Sequence, residues 1–327
     1  MPQVATTASI RDFWGTVGAR IGIIRSKYRV APGLYAVGEP GPQSPVLVTA
    51  NYKLSFDALR FQLGGVDTWL LVLDTRGINV WCAAGKGTFS TAELIQSVTR
   101  YQLTSLVSHR ELILPQLAAT GVAAQEVRRG CDFHVLFGPV RSADLPAFLQ
   151  QGNHCDEAMR EVTFTLPERA VLIPVELFLL AKPLLATLVL VFLLSGIGPS
   201  LFSLTAALDR GLVLLGATLL GIAGGAVVTP LLLPWLPCRQ FWLKGLLSGL
   251  AVAGFSGGFF APGLPLTEAM ALVLWLVTVS SYLAMNFTGS TPFTSPSGVE
   301  YEMRRGLPVQ IAAAGLVVAL WVGRPFF

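Results

Sequence analysis

The stretch "INVWCAAGKGTFST", residues 78–91, carries the residue types best suited to chemistry in this chain. It sets Trp81 beside Cys82, follows them with small residues and places Lys86 between two glycines. A lysine after a glycine is typical of phosphate-binding loops, whereas a cysteine can serve as a nucleophile, a redox group or a metal ligand. The stretch therefore suggests either a phosphate-binding site or a site built on the cysteine, and the rest of the sequence discriminates between the two.

Nucleotide-binding motifs do not fit this stretch. A Walker A loop that ends in Gly85-Lys86 needs a glycine at position 80 and a serine or threonine at position 87. Those positions are Val80 and Gly87, and no GxGxxG fingerprint follows a predicted strand. The net charge of +4 comes without a basic stripe of interleaved aromatic residues, so no nucleic-acid partner is expected.

Cys82 allows several interpretations from the residues alone. A nucleophilic thiol needs a base, and neither His109 nor His134 can be placed beside it from the sequence. A cysteine next to a tryptophan is most often a buried apolar side chain. The small residues that follow would, however, let a flat molecule approach the backbone. Asn79 can cap a short helix whose first turn presents Cys82, and a thiolate at a helix N-terminus is a good soft metal ligand.

The four cysteines, Cys82, Cys131, Cys155 and Cys238, lie far apart and form no CxxC pair. We therefore expect no local zinc or iron–sulfur site and no disulfide framework. The first 30 residues lack the apolar core of a signal peptide, so the front half is expected to stay in the cytoplasm, where thiols remain reduced.

Charge is distributed unevenly along the 327 residues. Residues 1–170 contain 16 Lys+Arg and 14 Asp+Glu, whereas residues 171–327 contain only 7 and 5. The front therefore has the composition of a soluble domain and the back that of a membrane domain. The predicted organisation is an N-terminal extension at 1–45, an α/β domain at 46–168 and a transmembrane domain at 169–327.

Segments with strand and helix patterns alternate in the α/β domain. Predicted strands are "VLVTA" (46–50), "WLLVLDT" (69–75), "LTSLVS" (103–108) and "FHVLFGP" (133–139), and "RELILPQL" (110–117) is a further apolar run. Predicted helices are "SFDALRFQL" with Ser55 as N-cap, "STAELIQSVTRYQL" with a capping box from Ser90 to Glu93, "GVAAQEVRRG" and "SADLPAFLQQG". The alternation predicts a doubly wound, Rossmann/flavodoxin-like α/β sheet, which binds ligands outside the carboxyl ends of its strands.

Five apolar runs in the back half are long enough to cross a bilayer. They lie at about 171–195, 211–236, 242–261, 266–287 and 307–324. Glycines in "GIAGGAVV" and "GFSGGFF" predict close helix packing for the second and third runs. Arg239, Arg304 and Arg305 favour a cytoplasmic side for the connections 237–241 and 288–306, which puts the C-terminus on the opposite side of the inner membrane. A transporter is disfavoured because the five runs show no internal repeat.

The string "NVWCAAGK", residues 79–86, resembles the cap-helix motif of the HgcA family, the membrane-bound corrinoid proteins of mercury methylation. All eight positions fit the motif, and the resemblance covers nearly the whole chain.

The front domain is also similar to the corrinoid domain of the corrinoid iron–sulfur protein large subunit of acetyl-CoA synthesis. That similarity is carried by "ANYKLSFDALR", "LVSHRELILPQL", "VLFGPVRSADLPAFL" and "MNFTGSTPFTSPSGVEYEMR". This relative has a barrel domain and an iron–sulfur cluster, for which the chain has no room ahead of the motif. This chain has a predicted membrane domain instead of the barrel domain and the cluster, and that difference favours the mercury methylation family.

The resemblance implies a cobalt corrinoid of the cobalamin type, with Cys82 as its lower axial thiolate ligand and the methyl group on its upper face. The nucleotide tail of the corrinoid would enter the pocket at the strand ends. The implied cofactor-binding residues are Thr49, Asn51, Asn79, Val80, Trp81, Cys82, Ala83, Ala84, Gly85, Lys86, Gly87, Thr88, His109, Leu114, Pro115, Gly138 and Pro139. Lys86 either contacts the corrinoid or is an ordinary solvated lysine, and His109, read as following a strand, either touches the tail or lies on the surface.

The resemblance also implies a corrinoid-dependent methyltransferase that moves a methyl group to Hg(II) and gives methylmercury. Its partners would be an HgcB-type ferredoxin with two iron–sulfur clusters, a methyl donor protein that uses methylated folate, and the lipid bilayer. The loop at 288–306 is expected to contact the cofactor or the ferredoxin. The rival interpretations are a membrane-tethered methyl-carrying corrinoid protein of one-carbon (acetyl-CoA pathway-like) metabolism and a corrinoid store or sensor that transfers nothing.

Overall fold

The computed structural model describes residues 1–260 and 264–327 of the chain, without side-chain environments for 257–260 and 296. It divides into two compact units, Met1–Thr163 and Phe164–Phe327. The first, which we call the front unit, is built around a five-stranded sheet, and the second, the helical unit, consists mainly of long apolar helices.

The sheet of the front unit has the strand order β1-β3-β2-β4-β5. Its strands are β1 (Gly33–Val37), β2 (Val46–Ala50), β3 (Thr68–Leu73), β4 (Glu111–Leu114) and β5 (His134–Phe137). Strands β2 to β5 run parallel, whereas β1 pairs antiparallel with β3 at the edge. The chain passes from β2 to β3 on one side and then returns to β4 on the other. A topological switch point therefore lies between β2 and β4.

Helices cover both faces of this sheet. They are α1 (Ile10–Ile21), α2 (Lys53–Arg60), α3 (Val80–Gly85), α4 (Thr91–Arg100), α5 (Leu103–Leu106), α6 (Ala124–Cys131), α7 (Leu145–Gln150) and α8 (Glu157–Arg160). Val48 belongs to a core shared with α3, α4 and α6, while its neighbour Leu47 belongs to a core with α2 and α7. Successive strand residues thus bury against opposite layers, which confirms the predicted α/β arrangement with parallel strands.

Three local predictions in the front unit are wrong. "LTSLVS" forms the short helix α5 and not a strand, because its apolar residues pack along one helical turn against the core. Helix α2 begins after Tyr52, so Ser55 is inside the helix and does not cap it. Ser90 accepts a hydrogen bond from the Glu93 N–H, but the Glu93 carboxylate accepts from Asp74 N and Ser97 Oγ, so the capping box is only half formed.

Residues 1–45 contribute α1 and the edge strand β1 to the front unit. A buried ion cluster holds α1 against α2. Lys53 Nζ lies 2.8 Å from Asp12 Oδ1 and 2.6 Å from Asp57 Oδ2, and Arg60 contacts the same two carboxylates at 2.8 and 2.6 Å. Burial alone would raise the pKa of Asp12, but its hydrogen bonds to Lys53, Ser9 and Arg60 outweigh burial and hold that pKa well below its usual range.

The helical unit contains three continuous helices long and apolar enough to cross a membrane, among the residues that the structure describes. They span Leu204–Leu232, Leu266–Ser290 and Ser297–Phe326. A bent pair, Leu166–Leu179 and Ala181–Gly196, makes a fourth if it is counted as one span. The full helices are α9 (Leu166–Ala170), α10 (Ile173–Leu179), α11 (Ala181–Gly196), α12 (Leu204–Ile222), α13 (Thr229–Leu232), α14 (Phe241–Phe260), α15 (Leu266–Phe287) and α16 (Pro296–Gly323).

The predicted set of five spans is therefore not confirmed. The run at 171–195 is not one straight helix, because the chain bends by 53° between α10 and α11. The run at 242–261 falls on α14, which is apolar over the shorter stretch Phe241–Ser256, and the end of that run and most of the "APGLP" connection lie outside the described residues. The long loop predicted at 288–306 is also wrong, since α16 begins at Pro296 and Ser295 caps it through the Gly298 N–H.

Glycines set the distance between α14 and α15. A methyl group on Gly245 would lie 2.4 Å from Ala284 Cβ and 2.6 Å from the carbonyl oxygen of Ser280. Ser280 Oγ donates a hydrogen bond to the Gly245 carbonyl at 2.6 Å, so the two helices touch backbone to backbone. The prediction of close helix packing is confirmed for "GIAGGAVV", where methyl groups on Gly221, Gly224 and Gly225 would lie 2.4 to 2.8 Å from the nearest atoms of α15. For "GFSGGFF" it is not confirmed, since a methyl group on Gly254 would meet no atom within 4 Å and the side-chain surroundings of 257–260 are not described.

Candidate functional site

The candidate site lies at the carboxyl ends of the parallel strands, where a pocket of about 350 Å³ opens at the switch point between β2 and β4. Thr49 closes it from β2, Leu114 and Pro115 from β4, and Gly138 and Pro139 from the turn after β5. The N-terminal turn of α3 forms another wall. Ligands of doubly wound sheets bind at this position because neighbouring connections diverge there and leave a crevice.

The turn between β3 and α3 is held by Asn51, which is 2% exposed. Its Oδ1 accepts hydrogen bonds from Thr75 N, Thr75 Oγ and Gly77 N at 2.9 to 3.1 Å, and its Nδ2 donates to Asp74 Oδ1 at 3.1 Å. A single side chain from the end of β2 therefore satisfies the backbone of the neighbouring turn. This arrangement fixes where α3 begins relative to the strand ends.

Helix α3 is the element that presents the cysteine. The Asn79 side chain accepts a hydrogen bond from the Cys82 N–H at 2.9 Å, as an N-cap does. Val80, Ala83 and Ala84 are buried against the core, whereas Trp81 on the other side of the helix is 37% exposed. One face of α3 therefore packs on the core of the front unit, and its other face is exposed.

The thiol of Cys82 is half-buried and free. Its Sγ makes no hydrogen bond within the part of the chain that the structure describes, and no group of three His, Cys, Asp or Glu side chains that could hold a metal ion occurs among those residues. Cys82 can therefore act as a single soft donor towards a metal that brings its other ligands with it. Neither His109 nor His134 is arranged with it as a catalytic base.

Gly121, which packs against the buried side of α3, and Gly85, on the exposed side of that helix, have different surroundings. A methyl group on Gly121 would lie 2.2 Å from the Phe89 carbonyl oxygen and 2.9 Å from Ala84 Cα, so α3 sits directly on the turn that precedes α6. A methyl group on Gly85 would meet no atom within 4 Å. Gly121 thus allows tight packing below the helix, while Gly85 keeps its outer side free.

The structure brings eight of the predicted cofactor-binding residues together in the pocket lining. They are Thr49, Asn79, Val80, Trp81, Leu114, Pro115, Gly138 and Pro139. Seven more belong to the same helix and the turn that ends it, outside the pocket lining: Cys82, Ala83, Ala84, Gly85, Lys86, Gly87 and Thr88. Thr88 donates a hydrogen bond to the Ala83 carbonyl at 3.3 Å, and Lys86 is exposed.

Two predicted residues lie elsewhere. Asn51 is buried behind the pocket, where it supports the turn described above. His109 does not follow a strand, because "LTSLVS" is a helix. It precedes β4, and its Nε2 lies 2.9 Å from the Ser44 carbonyl oxygen. His109 therefore lies at the amino end of β4, whereas the pocket lies at the carboxyl ends of the strands.

Arg141 and Ser142, which were not predicted from the sequence, also line the pocket, after Pro139 in the chain. Arg141 is the one charged side chain among the described lining residues, and its guanidinium donates a hydrogen bond to Thr163 Oγ. Their position directly after the predicted strand "FHVLFGP" was the available signal, since residues that follow parallel strands face the ligand crevice.

The other cysteines have different environments. Cys131 Sγ donates to the Val127 carbonyl at 3.3 Å, and burial raises the pKa of this thiol. Cys155 is buried, and burial also raises its pKa. Cys238 is half-buried in the helical unit. The surroundings of Cys131 and Cys155 therefore favour protonated thiols, as expected for structural cysteines.

The helical unit has its own pocket of about 720 Å³, between α10, α11, α12, α15 and α16. Its walls are mostly apolar, with Glu176, Asn286 and Gln310 among the polar members. Glu176 accepts a hydrogen bond from Ser290 Oγ at 2.7 Å. Gln310 donates to Ser281 Oγ at 3.0 Å, while its own Oε1 is buried without a partner among the described residues.

The front unit matches a known protein family. Residues 24–149 match the family of the CO dehydrogenase/acetyl-CoA synthase delta subunit. This range runs from the chain before β1 to α7 and includes the whole pocket region up to Leu145.

Individual relatives agree with this match. The acetyl-CoA decarbonylase/synthase complex subunit gamma of Archaeoglobus fulgidus is 34% identical over 129 residues, which are 39% of this chain and 27% of that protein. The same subunit of Methanopyrus kandleri is 35% identical over 129 residues, 39% of this chain and 28% of that protein. The same subunit of Methanocaldococcus jannaschii is 32% identical over 139 residues, which are 42% of this chain and 28% of that protein.

The chain spans little more than a quarter of the length of these relatives. The likeness supports the predicted resemblance of the front domain to the corrinoid iron–sulfur protein large subunit. The closer assignment, to the mercury methylation family, stays a prediction.

Proposed function

We propose that the front unit binds a cobalt corrinoid and carries a methyl group on it, in a chain that its helical unit holds at a membrane. The observation that carries this proposal is α3, a capped helix of small residues that presents the free thiol of Cys82 next to a pocket at the strand ends. The likeness of residues 24–149 to subunits of the acetyl-CoA decarbonylase/synthase complex supports it.

The residues present suit such a cofactor. The pocket of about 350 Å³ has the size for the nucleotide tail of the cofactor, whereas the much larger corrin ring would lie outside it, over α3. The open side of Gly85 leaves room for a flat macrocycle, and the thiol of Cys82 has no competing hydrogen bond among the described residues. The positive charge of Arg141 in the pocket wall complements the phosphate of a nucleotide tail.

Each residue has a definable task in this proposal. Cys82 would supply a thiolate ligand to the cobalt, and Asn79 and Asn51 hold the helix that carries it. Trp81, which precedes Cys82 in the chain, forms part of the pocket wall. Bound there, the corrinoid supplies a cobalt centre that accepts a methyl group from one molecule and gives it to another.

The methyl acceptor has two candidates. The relatives' place in an acetyl-CoA decarbonylase/synthase complex favours a methyl carrier of one-carbon metabolism. The intact "NVWCAAGK" string together with apolar helices favours Hg(II) as acceptor, with an HgcB-type ferredoxin as reductant and a methylated-folate protein as donor. A strongly donating thiolate would assist transfer of the methyl group with its bonding electrons to Hg(II). The likeness of the front unit supports the carrier role more directly, so we place it first.

Corrinoid binding can be tested on the purified full chain in detergent. We expect the wild type to retain added methylcobalamin through gel filtration, with a visible spectrum different from that of the free cofactor. Cys82→Ala should remove that spectral difference. Cys131→Ala is the matched control, because it deletes a thiol on α6 that bonds to the Val127 carbonyl. Identical spectra for wild type and Cys82→Ala would contradict the ligand assignment, and a wild type that retains no corrinoid would contradict the proposal itself.

The acceptor can be tested on the methylated protein. It is offered Hg(II) or a CO dehydrogenase/acetyl-CoA synthase preparation, with free methylcobalamin at the same concentration as background. Methyl transfer to the synthase without methylmercury above background supports the carrier role. Methylmercury above background, lost in Cys82→Ala and kept in Cys131→Ala, assigns the chain to mercury methylation instead.

A further inference from the structure

Exposed apolar side chains of the front unit are concentrated on and next to α1. Eight large hydrophobic side chains are exposed in this unit, and five of them fall within residues 10–23. These five are Ile10, Phe13, Trp14, Ile21 and Ile23, exposed by 71, 57, 64, 37 and 65%. Such a patch on a water-soluble domain is typical of a surface that is covered by something else.

The patch occupies one face of the helix. Ile10, Phe13, Trp14 and Ile21 are spaced by three, one and seven residues, and at 3.6 residues per turn they share one side. The opposite side carries Asp12 and the fully buried Ala19. Asp12 is bound to Lys53 and Arg60, so the ion cluster fixes the helix with its apolar face directed away from the front unit.

Positive charges flank the apolar face. Arg11 and Arg20 lie on opposite edges of it by helical geometry, and both are exposed. Asp12 is the single acidic residue in the first 30 positions, and its charge is already paired inside the unit. The exposed charge of α1 is therefore purely basic. An apolar face with aromatic residues between basic edges is the pattern of helices that lie in the interface of anionic membranes.

Helix α1 also precedes the segment that matches the family, which begins at residue 24. The family likeness therefore does not account for it. The same chain carries helices long enough to cross a bilayer, so the front unit is tethered to any membrane that those helices span.

We propose that α1 binds the anionic surface of the bilayer, with Phe13 and Trp14 inserted at the level of the headgroups and Arg11 and Arg20 in contact with phosphates. The helix would then be a second, peripheral membrane contact, independent of corrinoid binding. A second copy of the chain or another protein on this face are the competing occupants.

The test uses the full chain in lipid nanodiscs made of phosphatidylcholine alone or mixed with phosphatidylglycerol. A photo-crosslinking phenylalanine analogue replaces Trp14, or Gln151 as an exposed control site, and adducts are identified by mass spectrometry. We expect lipid adducts at position 14 in several-fold excess over position 151, with a several-fold drop when phosphatidylglycerol is left out. Equal lipid yields at the two positions, or adducts of position 14 with protein segments, would overturn the proposal.

Charge variants test the role of the basic edges. Arg11→Gln with Arg20→Gln should lower the lipid adduct yield at position 14 several-fold in the anionic nanodiscs. Arg128→Gln with Arg129→Gln is the matched control, because it removes two exposed charges from α6. All four arginines are exposed, so folding is preserved. An equal effect of both pairs would show that net charge alone is involved and would refute the specific contact.

Discussion

The pocket of the front unit and the pocket of the helical unit are lined by different kinds of structural element. In the front unit, residues of strand ends and turns form much of the lining, and hydrogen bonds such as those of Asn51 hold the turn before α3 in place. In the helical unit the lining comes mainly from side chains on helices, whose backbone bonds are satisfied within each helix. Pocket shape therefore depends on turn geometry in one unit and on the distances between helices in the other.

This difference predicts which substitutions should disturb the structure of each unit. A glycine in the helical unit is needed where two helices touch, as at Gly245, and its loss should separate them. In the front unit the sensitive positions are those that fix α3 on the sheet, namely Gly121 below it and Asn51 before it. Substitutions of similar size in the two units should consequently have different effects, on helix packing in one and on the cofactor site in the other.

The largest effect is expected for Gly245→Ala. The added methyl group would lie within 2.4 to 2.8 Å of Ala284 Cβ, Ser280 O and Ser281 Cα, so α14 and α15 must move apart. We expect a loss of about 3 kcal/mol, the upper part of the usual overpacking range, measured as a lower unfolding midpoint in detergent. Gly254→Ala on the same helix meets no atom within 4 Å and should leave stability unchanged or raise it by up to about 1 kcal/mol, because alanine favours the helix more than glycine does. Equal midpoints for the two variants would refute the close contact.

A smaller but more local effect is expected for Gly121→Ala. Its methyl group would collide with the Phe89 carbonyl and with Ala84, so α3 must shift, at a cost of about 2 kcal/mol. Gly85→Ala on α3 meets nothing within 4 Å and should leave the unfolding midpoint unchanged. If the corrinoid lies over α3, Gly85→Ala should still weaken corrinoid retention. Unchanged retention would argue against a macrocycle on that side of the helix.

Asn51→Ala tests the turn that precedes α3. The substitution leaves the Thr75 and Gly77 N–H groups without their acceptor, and a buried unsatisfied donor costs about 1–3 kcal/mol. We expect a loss of about 1–2 kcal/mol in thermal or denaturant unfolding, because water can reach part of the turn. Asn51→Asp keeps an acceptor for those groups and should lose less at acid pH, where the introduced carboxyl group is neutral and can donate to Asp74 Oδ1 as Asn51 Nδ2 does. Equal losses for both variants would show that the hydrogen bonds are not the cause.

The smallest effect at neutral pH is expected for Asp12→Asn, about 1 kcal/mol, because Asp57 still pairs with Lys53 and Arg60. The pKa of Asp12 is lower in the folded chain than its unfolded value of about 3.9. Its contribution is therefore complete above that pH and is lost as the pH falls towards the folded pKa. Asp12→Asn should flatten the acid limb of a plot of unfolding free energy against pH. Parallel acid limbs for wild type and variant would contradict this assignment.

Much of the front unit could be predicted from the sequence because local patterns decide it. The runs at 46–50 and 69–75 became β2 and β3, since buried parallel strands read as continuous apolar segments. Asn79 caps α3 as predicted, because a side-chain oxygen three residues before an amide satisfies it without help from the rest of the fold. "LTSLVS" could not be assigned correctly, since a six-residue segment with apolar residues only at 103, 106 and 107 fits a helical turn as well as a strand.

The helical unit was less predictable because hydropathy reports composition and not geometry. The bend of 53° between α10 and α11 lies just before Pro183, which cannot donate to the Leu179 carbonyl, but a hydropathy average over the run does not register a single proline. The start of α16 at Pro296 was hidden in a polar segment that resembled a loop, although Ser295 and Pro296 are a common helix start.

By itself, the sequence determined the α/β pattern of the front unit, the apolar character of the back half and the capped turn that carries Cys82. These features depend on residues within a few positions of each other, so local physical chemistry suffices. Only the tertiary structure decided that Arg141 and Ser142 belong to the pocket, that His109 lies at the amino end of β4, away from the pocket, and that Gly245 touches Ser280. Strand order and helix distances arise from the packing of distant segments, and that packing is not encoded in any single stretch of the chain.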